Sequence, residues 1–225
     1  MQLDVLANRL GVEIEPQLLE LALTHRSYAY EQGGKPSNER LEFLGDSVLG
    51  FVVTAHIHDK FTELDEGELT KIKNAVVSAK ALGAISLELG IGEFLRLGKG
   101  ETLTGGRDKN NLLADAFEAI LGAVFVSKGL PAAAGMVERF VFPLLTDPDT
   151  LRAQSDPKTT LVELVQLKKL GAVDYQITFD GPDHDRNFFA ELVIGGKTIA
   201  KGQGRSKKAA ENDAAISALQ ILQGK

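Results

Sequence analysis

Glu39, Glu42 and Asp46 recur three and four residues apart in the run Asn38-Glu39-Arg40-Leu41-Glu42-Phe43-Leu44-Gly45-Asp46-Ser47-Val48-Leu49-Gly50. At about 100° per residue, that spacing aligns three carboxylates on one stripe of a helix. Like charges so placed repel one another and weaken the helix. Around them stand Leu41, Phe43, Leu44, Val48, Leu49, Phe51, Val52 and Val53, apolar nearly all round. A helix of that composition belongs in a core, where acids require a cation. Carboxylate oxygens on a rigid element suit a hard ion such as Mg²⁺. Residues 112–126 repeat the pattern, with Asp115 and Glu118 as their only charges, one turn apart. Packed through small residues such as Gly45 and Ala114, two such helices would gather Glu42, Asp46, Asp115 and Glu118 into one oxygen cage. An acidic pair at this spacing is ordinarily a solvated helix face. Apolar flanks on both helices favour the metal site instead.

The elements that must position these acids are mostly helices. Residues 1–147 read as a helical run. A short helix follows Pro16, and the loop Gln32-Gly33-Gly34-Lys35-Pro36-Ser37 precedes the first acidic helix, which Ser37 or Asn38 is placed to cap. After Asp65-Glu66-Gly67, one helix is expected through Leu69, Ile72, Val76, Val77 and Leu82. The stretch from Leu97 to Gly106 reads as a glycine-rich loop, and Asn110-Asn111 opens the second acidic helix. Residues 148–156 read as a polar linker bracketed by prolines.

The rhythm changes at residue 157. Thr160, Leu161, Leu164, Val165 and Leu167 give helical spacing over 158–169, while Tyr175, Ile177 and Phe179 alternate as a half-buried strand does. Phe189, Glu191 and Val193 alternate with Leu192 and Ile194, and Gly195-Gly196 turns into a third strand, Lys197-Thr198-Ile199-Ala200. An alanine-rich helix runs from Ser206 to Leu222, giving the order α-β-β-β-α. The fold class expected is therefore multidomain: an all-α domain over 1–147, then a small α+β domain over 157–225.

The eleven residues from Asn38 to Val48 resemble the signature of the ribonuclease III family, double-stranded-RNA endonucleases. Leu23-Thr24-His25-Arg26-Ser27-Tyr28 and Leu113-Ala114-Asp115-x-x-Glu118-Ala119 are similar to that family too, and the C-terminal pattern resembles its double-stranded-RNA-binding domain. The resemblance implies Glu42, Asp115 and Glu118 as metal ligands, with Mg²⁺ as the ion and Mn²⁺ as a substitute. It implies Asp46 and Glu118 as catalytic acids, and Glu39 and Glu66 as supporting acids. Taken alone, Glu66 has helix capping as its plain alternative. The stretch Gly202-Gln203-Gly204-Arg205-Ser206-Lys207-Lys208 matches the family's phosphate-contacting entry into its last helix. Lys207 and Lys208 at a helix N-terminus fit that task physically. Glu163 matches the residue facing ribose hydroxyls, and His184 the loop histidine, although Asp183 and Asp185 beside it disfavour a phosphate backbone. The resemblance further implies a homodimer cutting both strands, products with a 5′-phosphate and a short 3′ overhang, and precursors of ribosomal RNA and some messenger RNAs as substrates. Phe43 and Leu44 are candidate dimer contacts, with core packing the expected role for most of the apolar residues around them.

Composition bounds these readings. The 225 residues are 44% hydrophobic, enough for a core, and hold no cysteine, which excludes disulfides and thiolate-bound zinc. The start lacks the basic and long apolar runs of a signal peptide, and no stretch resembles a membrane span, so the cytoplasm is the expected location. A net charge of −6 disfavours nucleic acid at face value. From Pro157 onward, however, ten basic residues face eight acidic ones, a balance of +2; the remaining 15 basic and 23 acidic residues put −8 on the other half. A regulator that binds duplex RNA without cutting is the alternative function; the presence of all four acids argues for the enzyme. A hydrolase of small phosphoesters would need no duplex-reading module.

Overall fold

The computed structural model describes residues 2–146, 156–182 and 186–224. The chain divides into two compact units, Met1–Thr146 and Asp147–Lys225.

Among the described residues the first unit is helical: α1 (Gln2–Leu10), α2 (Pro16–Ala22), α3 (Arg26–Glu31), α4 (Glu39–Lys60), α5 (Glu66–Val76), α6 (Ala79–Glu88), α7 (Lys99–Leu103), α8 (Asn110–Lys128) and α9 (Leu130–Phe140). Short 3₁₀ turns lie at Ile91–Phe94, Gly106–Asp108 and Phe142–Leu144. The centre is α8, whose Ala116, Phe117, Ala119, Ile120, Leu121 and Val124 are wholly buried. Each large apolar side chain so buried contributes about 1.5–3 kcal/mol. By length and composition alone this 19-residue helix would also cross a membrane; its burial marks it as the core helix of a folded domain.

Helices α4 and α8 touch backbone to backbone. A Cβ on Gly45 would collide with the carbonyl oxygen of Glu118, and one on Gly122 with that of Leu41. Two glycines, one from each helix, therefore set the crossing, and Glu42 and Glu118 lie beside it. Ala114, expected at this contact, is buried on α8.

Four sequence expectations change here. The single helix expected past Asp65 is two helices, because Ser78 breaks it: its side chain accepts the Ala81 backbone N–H and caps α6. The apolar period continues across that break, so periodicity alone does not reveal it. The loop from Leu97 to Gly106 contains α7, which is docked on α3. The Gly98 N–H donates to Ser27 Oγ (2.9 Å) and the Lys99 N–H to Glu31 Oε1 (2.8 Å). Third, α4 is not apolar inward all round: Phe43 is 77% and Phe51 62% exposed. Ser37 and Asn38 do not cap α4 with their side chains either; Ser37 Oγ donates to Glu39 Oε2 (2.7 Å) instead.

In the second unit, α10 (Pro157–Leu167) precedes β1 (Val173–Asp180), β2 (Asn187–Ile194), β3 (Lys197–Gly204) and α11 (Lys207–Gln223). The sheet is antiparallel in the order β1-β2-β3. Gly195 and Gly196 both take positive φ, 56° and 80°, as a two-residue hairpin between the paired Ile194 and Lys197 requires. Leu192 and Ile194 face the core with Leu161 and Val165 of α10 and Ala210, Ala214, Ala215 and Ala218 of α11. Alanines let α11 lie close to β3, where a Cβ on Gly202 would strike the Ala214 nitrogen. Most of the expected linker, 148–156, lies outside the described residues, as does His184 with Asp183 and Asp185.

Candidate functional site

Where α4 crosses α8, Glu42, Asp115 and Glu118 converge. One carboxylate oxygen from each lies within 4.8 Å of the other two, and all three residues are half-buried. Convergence and burial together make ionisation costly. Burial pushes the Glu118 carboxyl up to about 8, with the charges of Asp46, Asp115 and Glu42 adding to it. Burial raises Glu42 as well, with help from Asp115 and Glu39 and against the pull of Arg26. Asp115 is raised by burial and partly relieved by His25 and Arg26. An all-oxygen donor set with this much uncompensated charge fits a hard divalent cation.

Asp46, expected as a fourth member of the cage, is not in this group of three. It is exposed one turn further along α4 and acts on Glu118 through its charge. Glu39 is exposed at the start of α4 and pairs with Arg26 at 3.9 Å. Glu66 is exposed too, as the first residue of α5. The cap of α5 is Asp65, whose Oδ1 accepts the Glu68 N–H (2.8 Å) while Glu68 Oε2 accepts the Asp65 N–H (2.9 Å). Glu66 is thus not the capping residue, and its side chain is left to face solvent beside Thr70 (3.4 Å).

Sequence reasoning gave no task to His25, whose charge acts on Asp115, or to Glu101, whose charge acts on His25. His25, at the N-cap of α3, is half-buried and its pKa is lowered, chiefly by that burial. Glu101 of α7 accepts from Lys109 Nζ (2.6 Å), which holds its carboxyl below the usual range. The signal was available, because the Leu23–Tyr28 segment belongs to the family pattern, but a pattern names residues and not their neighbours.

In the second unit Glu163 is exposed on α10, and Lys207 and Lys208 are exposed in the first turn of α11. Ser206 caps that helix by accepting the Ala209 N–H (3.1 Å). Asp213 accepts the Gln203 N–H (2.9 Å), which ties the end of β3 to the same helix. The two lysines are therefore held at the helix end where free N–H groups and the dipole favour anions.

Comparison with known proteins accounts for both units. The Ribonuclease-III-like family pattern matches residues 15–145, and the double-stranded RNA binding motif matches residues 157–222. Ribonuclease 3 of Thermobifida fusca is 50% identical over 212 residues, covering 94% of this chain and 88% of that protein. Ribonuclease 3 of Mycobacterium bovis is 45% identical, covering 97% and 92%. Among solved structures, the nuclease domain of ribonuclease III from Campylobacter jejuni is 35% identical with a TM-score of 0.59, covering 64% of this chain and 96% of that one. A second structure of that domain, reported for flexibility in a region involved in dimer formation, is 34% identical with a TM-score of 0.57, covering 68% and 98%. With matches to both units in this order, and nearly full coverage of the relatives' own length, the chain belongs to the ribonuclease III family of endoribonucleases.

Proposed function

We propose that the chain is a Mg²⁺-dependent endonuclease of double-stranded RNA. The observation that carries the reading is the convergence of three half-buried carboxylates with oxygens within 4.8 Å of one another, an all-oxygen donor set that suits a hard divalent cation. Glu42, Asp115 and Glu118 hold the ion, for which Mn²⁺ can substitute. Bound there, it supplies charge relief on the phosphoryl oxygens and lowers the pKa of a water. Asp46, exposed beside Glu118, orients the attacking water, and Asp46 and Glu118 are the catalytic acids. Water adds to phosphorus and the bond to the 3′ oxygen breaks, so the products carry a 5′-phosphate and a 3′-hydroxyl. Glu39 and Glu66 support cleavage from the rim of the site.

The second unit, from residue 157 after a linker over 148–156, grips the duplex by shape. Glu163 serves ribose hydroxyls, Lys207 and Lys208 serve phosphates, and His184 serves the groove from the β1–β2 loop. Each cage cuts one strand, so two copies of the chain related by a two-fold axis make the paired cut with a short 3′ overhang. Precursors of ribosomal RNA and some messenger RNAs, in the cytoplasm, are the substrates this reading assigns.

The test is a labelled RNA duplex incubated with the protein in Mg²⁺ or in EDTA, beside Glu118→Gln. Cutting that needs Mg²⁺ and falls at least about 100-fold in the variant, with duplex binding retained, is the expected result. Duplex binding with no cutting in any metal would leave a non-cleaving RNA-binding regulator.

A further inference from the structure

We infer that Lys158 is a positioning residue for duplex binding: it holds the Glu211 carboxylate away from Lys207 and Lys208, so that both lysines stay free for phosphate. The inference rests on the assignment of those two lysines to the RNA backbone above. Helix α11 opens on them and has no acid in its first turn. Cations there oppose the helix dipole and cost the helix stability, so what they suit is an anion brought from outside. Glu211 is the nearest acid along the helix. It follows Lys207 by four residues and Lys208 by three, the two spacings at which helix side chains meet. A Glu211 carboxylate turned toward the first turn would pair with Lys207 and repel an approaching phosphate.

Glu211 is engaged elsewhere. Its Oε2 accepts from Lys158 Nζ of α10 at 2.6 Å, and both side chains are half-buried. The same ammonium lies 4.8 Å from the centre of the Tyr175 ring on β1, so it is held from two sides. Burial, with the charge of Glu211 adding to it, pushes the Tyr175 hydroxyl up to about 12. The ring beneath the ammonium is therefore neutral at pH 7 and keeps its attractive face. Asp213, the only other acid of α11, accepts the Gln203 N–H (2.9 Å). Both acids of the helix are thus taken by partners outside it. Lys207 and Lys208 are exposed and hold no ion pair among the described residues.

The Lys158–Glu211 pair also ties α10 to α11, and the two roles are separated by which partner is removed. Binding of the full chain to a labelled RNA duplex is measured in EDTA across a salt series, with melting temperature recorded to establish that each variant is folded in the assay. Lys158→Gln leaves Glu211 charged and unheld. Its binding should weaken about 5-fold or more at low salt, and its salt slope should fall by about one, as for a lost phosphate contact. Glu211→Gln breaks the same bridge but leaves no charge to misplace, so it should bind as wild type does. Adding Glu211→Gln to Lys158→Gln should restore wild-type affinity. A bridge that only ties the helices would make all three variants bind equally weakly, and that result would overturn the inference, as would full affinity in Lys158→Gln. A double variant as weak as Lys158→Gln would also overturn it, by making Lys158 a phosphate contact in its own right. Wild-type affinity in a protein carrying both Lys207→Gln and Lys208→Gln would instead remove the two lysines from the RNA interface, and this inference with them.

Discussion

Glu118 carries most of the electrostatic tension of the cage, and that tension has a sign that can be measured. Its carboxyl, pushed up to about 8 by burial and by three neighbouring acids, keeps a proton that the unfolded chain gives up near the ordinary value of 4.5. Between those two values the folded state binds more protons than the unfolded state. Stability of the metal-free protein therefore falls as pH rises from about 4.5 to about 8. Thermal melts in EDTA at pH 5, 6.5 and 8 should show that descent. Glu118→Gln should flatten it, being neutral at every pH, and added Mg²⁺ should restore the wild type most at pH 8. Metal uptake must displace the same proton, so apparent affinity should rise by up to about tenfold per pH unit below 8. A wild-type melting temperature that climbs steadily across this range in EDTA would contradict the assignment of tension to Glu118.

At the scale of elements, the cage exists because two helices meet at glycine. Gly45→Ala would drive a methyl group into the Glu118 carbonyl, and Gly122→Ala would do the same to Leu41. Both atoms are backbone, so the helices themselves must part. Overpacking of this kind costs about 1–3 kcal/mol. For Gly45→Ala we expect that loss in urea denaturation, together with weaker Mn²⁺ binding, because Glu42 and Glu118 separate with their helices. A variant with the full stability cost but unchanged metal binding would mean that the cage tolerates the shift. The acids were legible in the sequence because helical period is local: Glu42 with Asp46 and Asp115 with Glu118 declare a face without knowledge of the partner. Gly45 was legible as a small residue, whereas its opposite number Gly122 was not, since which residues meet across a crossing is decided by tertiary packing. The same limit hid α7 within its glycines, because its partners Ser27 and Glu31 stand far from it in the chain.

For the molecule as a whole, charge and exposed apolar surface divide the labour. Residues 1–156 carry −8, with Glu42, Asp115 and Glu118 gathered at one helix crossing, and the remainder carries +2, with Lys207 and Lys208 at one helix end. The first unit also shows apolar surface that its own core does not claim. Phe43 and Phe51 stand two turns apart on α4, 77% and 62% exposed, so they share one side of the helix that carries Glu42. Large aromatics left to water on a rigid element mark a contact surface. Under the function proposed above, with one cage per chain and two strands to cut, a second copy of the chain is the occupant we propose. Phe43→Glu places a charge at the middle of such a contact, repeated by symmetry on the partner. Sedimentation velocity should then report a species near 24.2 kDa where the wild type runs at twice that mass. Phe43 is exposed in the single chain, so the substitution should leave the fold of each unit and the Mn²⁺ affinity of the cage nearly unchanged. On a duplex labelled on both strands, the variant should lose paired cuts far more than single-strand nicks. A Phe43→Glu protein that stays dimeric, or a monomer that still makes paired cuts, would remove α4 from the dimer interface and send the search for it to another face.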